Sequence, residues 1–366
     1  MYEIHINTIL GIRANDQRRE ILKNKIEKPI ISFCIPTYNR ASCVEQCVKW
    51  ILEYPGNNIE VIVSDNASSD NTQESLSRIL DPRMKYFRND KNEGFAYNIN
   101  RVLNEASGEF CFLISDEDEV TQSGICKLMD IIKNDTNTSI IYGSIIEEDD
   151  TYNIKYKPMT YLMGDEALEA VAFRHQYIGG IVIKGEVYRE IALNNIKWYK
   201  KDCFFPHEYL TFLASKYGNI KMIEEPIIVR HDYANVSYTG TGNTSIFHTP
   251  EGVFATFEDR IKIIDEQLDK ANQVRDRLFL RNFRLSIYTA SIFLYHTTKQ
   301  SDTAKIHGNE AKKLNINIII RDFYKKSKNL YRENDIYVSD NFNKEVKKIM
   351  TVLRVKCIFK DLCSNA

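Results

Sequence analysis

The feature that most constrains the fold is a regular alternation of short β-rich runs with longer helical segments over residues 29–150. Five runs rich in β-forming residues are predicted to be strands: 29–35, 59–64, 84–88, 109–115 and 139–146. Helices are predicted between them, over 41–53, 70–80, 95–106 and 121–133. Strands that alternate with helices of this length predict βαβ units, and therefore an α/β fold whose mostly parallel sheet is flanked by helices.

The patterning also divides the chain into regions. Residues 1–28 are polar and helix-prone, which predicts an N-terminal helical leader. Residues 29–249 carry the strands, with a clear alternation over 29–150 and a weaker one over 151–249. Residues 250–366 are almost entirely helical in pattern, so we expect a helical C-terminal region.

Composition and charge exclude several classes of protein. A chain of 366 residues that is 43% hydrophobic can bury a full core. Its formal net charge of −1 provides no basic field, so we expect no nucleic-acid partner. Neither a secretory leader nor an apolar run of about 18 residues is visible, and the eight cysteines include no C-x-x-C pair. These features predict a cytoplasmic protein with reduced thiols.

The loops after the first four predicted strands are where a ligand should bind, because parallel sheets bind ligands at the carboxyl ends of their strands. Those loops are "PTYNRAS", "DNASSDNT", "NDKNEG" and "DEDEV". All four are rich in polar groups.

The last of these loops is an acidic run, "DEDE" at 116–119, directly after the apolar "CFLIS". Crowded carboxylates raise one another's pKa unless solvent or a cation intervenes, so the run is either a wet surface loop or a metal site. Hard cations such as Mg²⁺ and Mn²⁺ take one or two protein carboxylates and complete their shell with water and phosphates. Asp116 and Asp118 are two residues apart, so one can reach a metal while the other contacts ribose or metal-bound water.

The loops after the first and second strands each allow two interpretations. Asp65 can cap the next helix in an Asx turn, or its carboxylate can accept a hydrogen bond from a ring N–H of a nucleobase. Uracil, thymine and guanine offer such a proton. Pro36 and Asn39 can simply shape a turn, or Tyr38 between them can stack on a base.

Three segments together resemble a known family. "ISFCIPTYNR", "EVIVSDNASSDNT" and "NEGFAYNINRVLNEASGEFCFLISDED" are similar, in order and spacing, to the inverting nucleotide-sugar glycosyltransferases of family two, which have the GT-A fold. The resemblance covers residues 29–120 and weakens towards residue 231. It implies that residues 29–150 are a nucleotide-binding half and residues 151–249 an acceptor half.

The resemblance implies roles for residues in these loops. The nucleotide-binding residues that it implies are Pro36, Thr37, Tyr38, Arg40, Asp65, Asn92, Gly94 and Asp116. It also implies that Asp118 and Asp116 hold Mn²⁺ or Mg²⁺. Two departures from the family pattern are Glu117, where Asp is commoner, and "AYN" at 96–98 in place of Ala-Arg-Asn.

Inversion at the anomeric carbon requires a general base that takes the proton of the attacking hydroxyl. In the family this base opens a helix that matches "KDCFFPHEYLTFLASKYG", which contains Asp202, His207 and Glu208. We predict Glu208 as the catalytic residue; the alternative is a carboxylate that merely stabilises the first turn of a helix. The segment "YIGG" resembles the acceptor side of the family and suggests Gly179 and Gly180 as acceptor-binding residues. His231 is either a further diphosphate or metal contact or a structural residue.

The C-terminal sequence predicts a basic amphipathic helix over 344–360. Apolar residues share one face of it, surrounded by lysines and arginines. Such a helix can lie on an anionic membrane surface, or it can pack on the body of the protein or on a second subunit in a homo-oligomer.

The sequence as a whole therefore predicts a transferase that moves a sugar from a nucleoside diphosphate donor to a hydroxyl of a carbohydrate or glycolipid acceptor in a surface glycan. The predicted donor is UDP-linked. The transferase would work in the cytoplasm or at the inner face of the membrane. The alternatives are a nucleotidyltransferase that makes an activated sugar, and a non-catalytic glycan-associated binding module.

Overall fold

The structure is a computed structural model, which describes residues 28–175, 177–194, 205–231, 250–269, 273–282 and residue 286. The predicted leader, Asp202 and the predicted helix over 344–360 lie outside the described residues. In the ranges that are described, no helix is both long and apolar enough to cross a bilayer.

The chain forms two compact units that are interleaved along the sequence. The first is drawn from Met1–Tyr161, Tyr177–Ile196 and Tyr217–Val236, and the second from Leu162–Gln176, Lys197–Lys216 and Ser237–Ala366. The consecutive division that we predicted, with boundaries after residues 28, 150 and 249, remains a prediction.

Within the described residues, the first unit contains a ten-stranded sheet. Its strands are β1 (Ile31–Thr37), β2 (Ile59–Asp65), β3 (Met84–Arg88), β4 (Phe110–Leu113), β5 (Glu119–Val120), β6 (Thr138–Glu147), β7 (Tyr152–Ile154), β8 (Met159–Tyr161), β9 (Ile181–Lys184) and β10 (Asn219–Arg230). Its helices are α1 (Ala41–Leu52), α2 (Thr72–Ser77), α3 (Phe95–Asn104), α4 (Gln122–Asn134) and α6 (Gly185–Leu193).

The strand order is β3-β2-β1-β4-β9-β6-β10-β5, with β7 beside β6 and β8 beside β10. The pairs β3-β2, β2-β1 and β1-β4 are parallel, whereas β9 runs antiparallel to both β4 and β6. The predicted α/β sheet with flanking helices is confirmed, and each of the five predicted strands and four predicted helices is present within a few residues of its expected bounds. The antiparallel β9 was not predicted, because its short apolar run gives no sign of strand direction.

The central strands are mostly apolar because they are buried on both faces. β1, β2 and β4 are buried at every position. The rings of Phe33 and Phe112, on the paired strands β1 and β4, lie with centroids 5.5 Å apart in this core.

β1 and β4 stop pairing before β1 ends. Their register finishes at Cys34 and Leu113, while β1 continues beside β2 as far as Thr37. Pro36, which has no N–H to donate, falls just beyond the last β4 partner. β2 lies on one side of β1 and β4 on the other, and the carboxyl ends of strands at such a switch point form the crevice in which doubly wound sheets usually bind ligands.

The second unit is helical within the described residues. It contains α5 (Asp165–Val171), α7 (Pro206–Ala214), α8 (Pro250–Gln267) and a further helical stretch over 273–282. The described part of this region agrees with the predicted helical character of the chain after residue 250.

Candidate active site

The acidic run after β4 is buried. Asp116, Glu117 and Asp118 are 4%, 7% and 0% exposed. A wet surface loop is therefore excluded, and the three carboxylates must be compensated by cations or hydrogen bonds.

Two side chains, one from the last residue of β1 and one from the loop that follows it, compensate Asp116. Thr37 Oγ1 donates a hydrogen bond to Asp116 Oδ2 at 2.6 Å, and Arg40 Nη1 lies 2.9 Å from Asp116 Oδ1. Arg40 also forms an ion pair with Glu117. Burial raises the pKa of Asp116 to about 6, although Arg40 and Thr37 act in the opposite direction. The predicted nucleotide residues Thr37 and Arg40 thus hold the acidic loop in place.

Asp118 has a different environment. Its Oδ1 accepts a hydrogen bond from the Tyr177 hydroxyl at 2.5 Å. Its Oδ2 is buried and has no hydrogen-bond partner among the residues that the structure describes. Burial raises the pKa of Asp118 well above its ordinary value, and the neighbouring Glu117 and Asp116 add to this while Tyr177 opposes it.

These carboxylates fit a metal site that substrate would complete. No three His, Cys, Asp or Glu side chains converge as a cage in the described ranges. Mg²⁺ and its relatives need only one or two protein carboxylates when phosphates and water supply the other ligands. Asp118 Oδ2 is the available oxygen, because both oxygens of Asp116 are engaged by Thr37 and Arg40.

Asp65, at the end of β2, is fully buried and accepts four hydrogen bonds. Its Oδ1 accepts from the N–H and the hydroxyl of Ser68, at 2.8 and 2.5 Å. Its Oδ2 accepts from the Tyr86 hydroxyl at 2.6 Å and from Arg88 at 2.7 Å. Burial and the Asp65 hydrogen bond raise the pKa of Tyr86 to about 12, which keeps this hydroxyl a donor. Asp65 does not cap the next helix, whose N-cap is Asn71; its Oδ1 instead shapes the loop after β2 through the two Ser68 hydrogen bonds.

A network of asparagines joins the loops after β2 and β3. Asn66 Oδ1 accepts from Asn89 Nδ2 at 2.9 Å and from the Glu93 N–H at 3.0 Å, and Asn66 Nδ2 donates to Asn92 Oδ1 at 2.7 Å. Asn98 Nδ2 donates to the Ser64 carbonyl at 2.9 Å. The predicted residue Asn92 therefore belongs to a larger set that sequence reasoning missed, although each member follows a strand or opens a helix.

The remaining predicted nucleotide residues lie around the same crevice. Gly94 precedes α3 with a φ of 90°, a conformation that favours glycine. Pro36 is buried within β1, and Tyr38 is partly exposed directly after that strand. The structure thus places these three at or just beyond the carboxyl ends of β1 and β3.

The predicted acceptor glycines and His231 lie close to the acidic loop. A Cβ atom on Gly179 would stand 2.6 Å from Asp118 Oδ2, and Gly180 has a φ of 83°. His231 contacts Glu148 through Nδ1 at 2.7 Å and Glu119 through Nε2 at 3.1 Å. Its ring also stacks on Trp50, with centroids 4.6 Å apart.

Glu208, in the second unit, forms a buried ion pair that was not predicted. Glu208 is 4% exposed and its two oxygens accept from Arg260 Nε and Nη2 at 2.9 and 3.0 Å. The Arg260 guanidinium lies over the rings of Phe173 and Phe205, at 5.2 and 5.5 Å. Burial raises the pKa of Glu208, and Arg260 opposes the shift. His207 is buried beside Phe205, with an edge-on ring contact at 5.9 Å.

The mostly parallel sheet with flanking helices, and the buried acids at its carboxyl edge, agree with an α/β domain of the GT-A type. Residues 32–192, somewhat less than half of the chain, match the model of glycosyl transferase family 2, the family that the motifs resemble.

The similar proteins include characterised transferases. The chain is 33% identical over 123 residues to GalNAc(5)-diNAcBac-PP-undecaprenol beta-1,3-glucosyltransferase of Campylobacter jejuni, a match over 33% of this chain and 39% of that protein. It is 31% identical over 116 residues to UDP-Glc:alpha-D-GlcNAc-diphosphoundecaprenol beta-1,3-glucosyltransferase WfgD of Escherichia coli, over 31% and 45% of the two chains. The chain thus spans less than half the length of these relatives.

The fold is also similar to that of a solved structure. Residues 1–349 of S. aureus TarS superpose with a TM-score of 0.54 at 13% identity, over 80% of this chain and 79% of that chain. At this identity the likeness supports the fold alone.

Proposed function

We propose that the protein is a metal-dependent, inverting glycosyltransferase that moves a sugar from a UDP-linked donor to a hydroxyl of a glycan or glycolipid acceptor. The observation that carries the proposal is the buried acidic loop at the carboxyl edge of β4, where Asp118 Oδ2 has no partner among the described residues. A buried carboxylate oxygen without a partner is costly unless a ligand satisfies it.

The proposed donor rests on the crevice at the carboxyl edge of the sheet and on the name of one relative. The name of the Escherichia coli relative states a UDP-Glc donor. We propose that the nucleotide lies across the loops after β1, β2 and β3, against the residues that the family resemblance implied. Asp65 can accept a base N–H only if one of its present donors moves away. Arg88 is the best candidate, because its side chain is 35% exposed and can turn to water.

Asp118, supported by Asp116, would hold Mn²⁺ or Mg²⁺ together with the donor diphosphate. When bound, the cation supplies positive charge that stabilises the departing diphosphate. Arg40 and Thr37 would keep Asp116 and Glu117 ordered before and after the donor binds, since they already neutralise these acids.

Glu208 is proposed as the general base. The oxygen of the acceptor hydroxyl forms a bond to the anomeric carbon, the bond from that carbon to the diphosphate oxygen breaks, and the hydroxyl proton passes to the Glu208 carboxylate. Arg260 would orient this carboxylate through its two hydrogen bonds, each carboxylate oxygen retaining a second lone pair for the proton.

The acceptor and the location are inferred from the relatives and the sequence. The Campylobacter jejuni and Escherichia coli relatives are named for undecaprenol-linked acceptors. We propose a lipid-linked saccharide acceptor, approached near Gly180 at the start of β9. We also propose that the protein works at the cytoplasmic face of the membrane, with the basic segment 344–360 on the lipid surface.

A donor panel tests the proposal. The purified full chain is incubated with Mn²⁺ and each of several nucleotide sugars, and thermal shift, sugar release and transfer to a saccharide-diphosphate lipid are measured. We expect a UDP-sugar to raise the melting temperature and to be turned over. Binding without turnover would favour a non-catalytic module, and pyrophosphate release from UTP with a sugar phosphate would identify a nucleotidyltransferase.

A further inference from the structure

We propose that Tyr177 and Gly179 position the Asp118 carboxylate so that Oδ2 is presented to the metal. The inference rests on the proposed metal site. It gives these two residues a role that the sequence did not suggest, because the segment "YIGG" was interpreted there as part of an acceptor site.

The sheet fixes this segment against the acidic loop. β9 begins at Ile181 and pairs antiparallel with β4, with Ile181 opposite Leu113. The chain that enters β9 therefore passes the chain that leaves β4. Residues 177–180 come directly before β9 and the acidic loop directly follows β4, so their proximity is set by strand pairing.

Tyr177 holds one oxygen of Asp118. The hydroxyl donates to Oδ1 at 2.5 Å, and Asp118 is 0% exposed. A carboxylate with one oxygen tethered in this way can no longer rotate freely, so its other oxygen keeps one direction. Hydrogen-bonded supports of this kind are common behind metal-binding carboxylates and affect affinity strongly.

Gly179 leaves room for the other oxygen. A Cβ atom at this position would stand 2.6 Å from Asp118 Oδ2 and 2.8 Å from Cε1 of the Tyr177 ring. Contacts below 3.0 Å force something to move, so alanine here would displace either the carboxylate or the tyrosine that holds it. Gly179 is not among the residues with a positive φ, which means that close approach, and not backbone conformation, requires the glycine.

The arrangement is more specific than core packing. A phenylalanine would fill the Tyr177 position equally well if only volume mattered, whereas the hydroxyl is aimed at a buried carboxylate. The partner oxygen of that carboxylate is the one with no hydrogen bond among the described residues. Tethering Oδ1 while Oδ2 has no hydrogen bond within the described residues suits a carboxylate that gives one oxygen to a metal.

The test compares Mn²⁺ affinity among full-length variants. Free Mn²⁺ is followed by electron paramagnetic resonance as protein is titrated with Mn²⁺ in the presence of saturating UDP. Tyr177→Phe and Gly179→Ala should each weaken Mn²⁺ binding by about 10- to 100-fold. Tyr188→Phe is the matched control, because it removes another buried hydroxyl of the same unit, one that donates to Asn104 at 2.8 Å. It should leave Mn²⁺ affinity unchanged.

The outcomes separate this inference from the proposed function. If wild type binds Mn²⁺ and Asp118→Asn loses it, but Tyr177→Phe and Gly179→Ala bind as wild type does, the positioning role is wrong while the metal site stands. If wild type binds no Mn²⁺ even with UDP, the metal site and the inference fall together. Melting temperatures in EDTA identify any variant that fails to fold. If Gly179→Ala is such a variant, Tyr177→Phe decides the result, because it removes only a single oxygen.

Discussion

Replacing Asp65 should destabilise the first unit as well as weaken nucleotide binding. The family resemblance implies a base-binding role for this carboxylate, a role that by itself would let the fold survive its removal. The structure changes that expectation, because the carboxylate is fully buried and accepts hydrogen bonds from Ser68, Tyr86 and Arg88. Asp65→Ala removes all of these acceptor positions at once.

The expected loss follows from the donors that remain. Ser68 is 2% exposed, so its N–H and hydroxyl would be left buried, and Tyr86 is only partly exposed. A buried donor without a partner costs about 1 to 3 kcal/mol. Arg88 can turn to water and should contribute little. We expect Asp65→Ala to lower the free energy of unfolding by about 2 to 4 kcal/mol, and Asp65→Asn by about half as much, because its carbonyl can keep the Ser68 bonds.

The assay should report the first unit alone. The chain has two tryptophans, Trp50 and Trp198, and in a Trp198→Phe background the fluorescence of Trp50 follows the unit that contains the sheet. Urea unfolding gives the midpoint and the m value of each variant. If m is unchanged, a difference in midpoint is a difference in the free energy of unfolding. UDP binding is then measured without denaturant. A loss of less than about 0.5 kcal/mol for Asp65→Ala, the range of neutral surface changes, would refute the reasoning.

Three further predictions concern other regions. Glu208→Gln should lower the transfer rate by about a hundredfold, or 2.7 kcal/mol of barrier, with donor affinity unchanged. The substitution should also reduce stability, because it leaves Arg260 buried without its counter-charge. Transfer rates must therefore be calculated per folded protein. A rate close to that of wild type would indicate that the base is His207 or Asp202 instead. Burial favours a higher pKa for Glu60, but hydrogen bonds from Lys85 and other donors lower that pKa below 4.5. The ionised side chain therefore stabilises the fold fully above its unfolded-state pKa. That stabilisation is lost as the pH falls through the lower pKa of the folded state. Glu60→Gln should therefore flatten the dependence of melting temperature on pH below about pH 5, and an unaltered curve would contradict this. Removing residues from Lys344 onward should abolish binding to anionic liposomes in a sedimentation assay while UDP binding persists, whereas aggregation or a changed oligomeric state would favour a packing role for that segment.

The sheet was largely predictable because its strands are short apolar runs separated by helical periodicity. β1, β2, β3 and β6 appear close to their expected bounds for this reason. β9 was not predicted as an antiparallel strand, since "IVIK" is too short to show direction. Strand direction depends on which chain segments meet in space, and one sequence does not record that.

The acidic site was predictable in composition but not in arrangement. The motifs identified Asp116 and Asp118. The sequence could not show that Arg40 forms an ion pair with Asp116, or that one oxygen of Asp118 has no hydrogen-bond partner within the described residues. That difference arises from the close approach of the loops after β1 and β4. Tyr177 was outside the prediction for the same reason, because it reaches Asp118 through the pairing of β9 with β4.

Glu208 shows a further limit of sequence reasoning. Its place at the start of α7 was visible, but its partner Arg260 lies 52 residues later in a region without a recognisable motif. The local sequence "FEDRIKII" mixes charged and apolar residues and gives no sign that Arg260 is buried. Burial of that arginine is a tertiary property, so the ion pair could not be inferred from spacing.

The most direct test of the central claim is a crystal structure of the full chain with UDP and Mn²⁺, with an anomalous difference map collected at the manganese edge. We expect one strong peak that is coordinated by Asp118 Oδ2 and by diphosphate oxygens, with Tyr177 still hydrogen-bonded to Oδ1 and the base lying over the loops after β1 and β2. A diphosphate bound without manganese, or manganese bound away from Asp118, would contradict it.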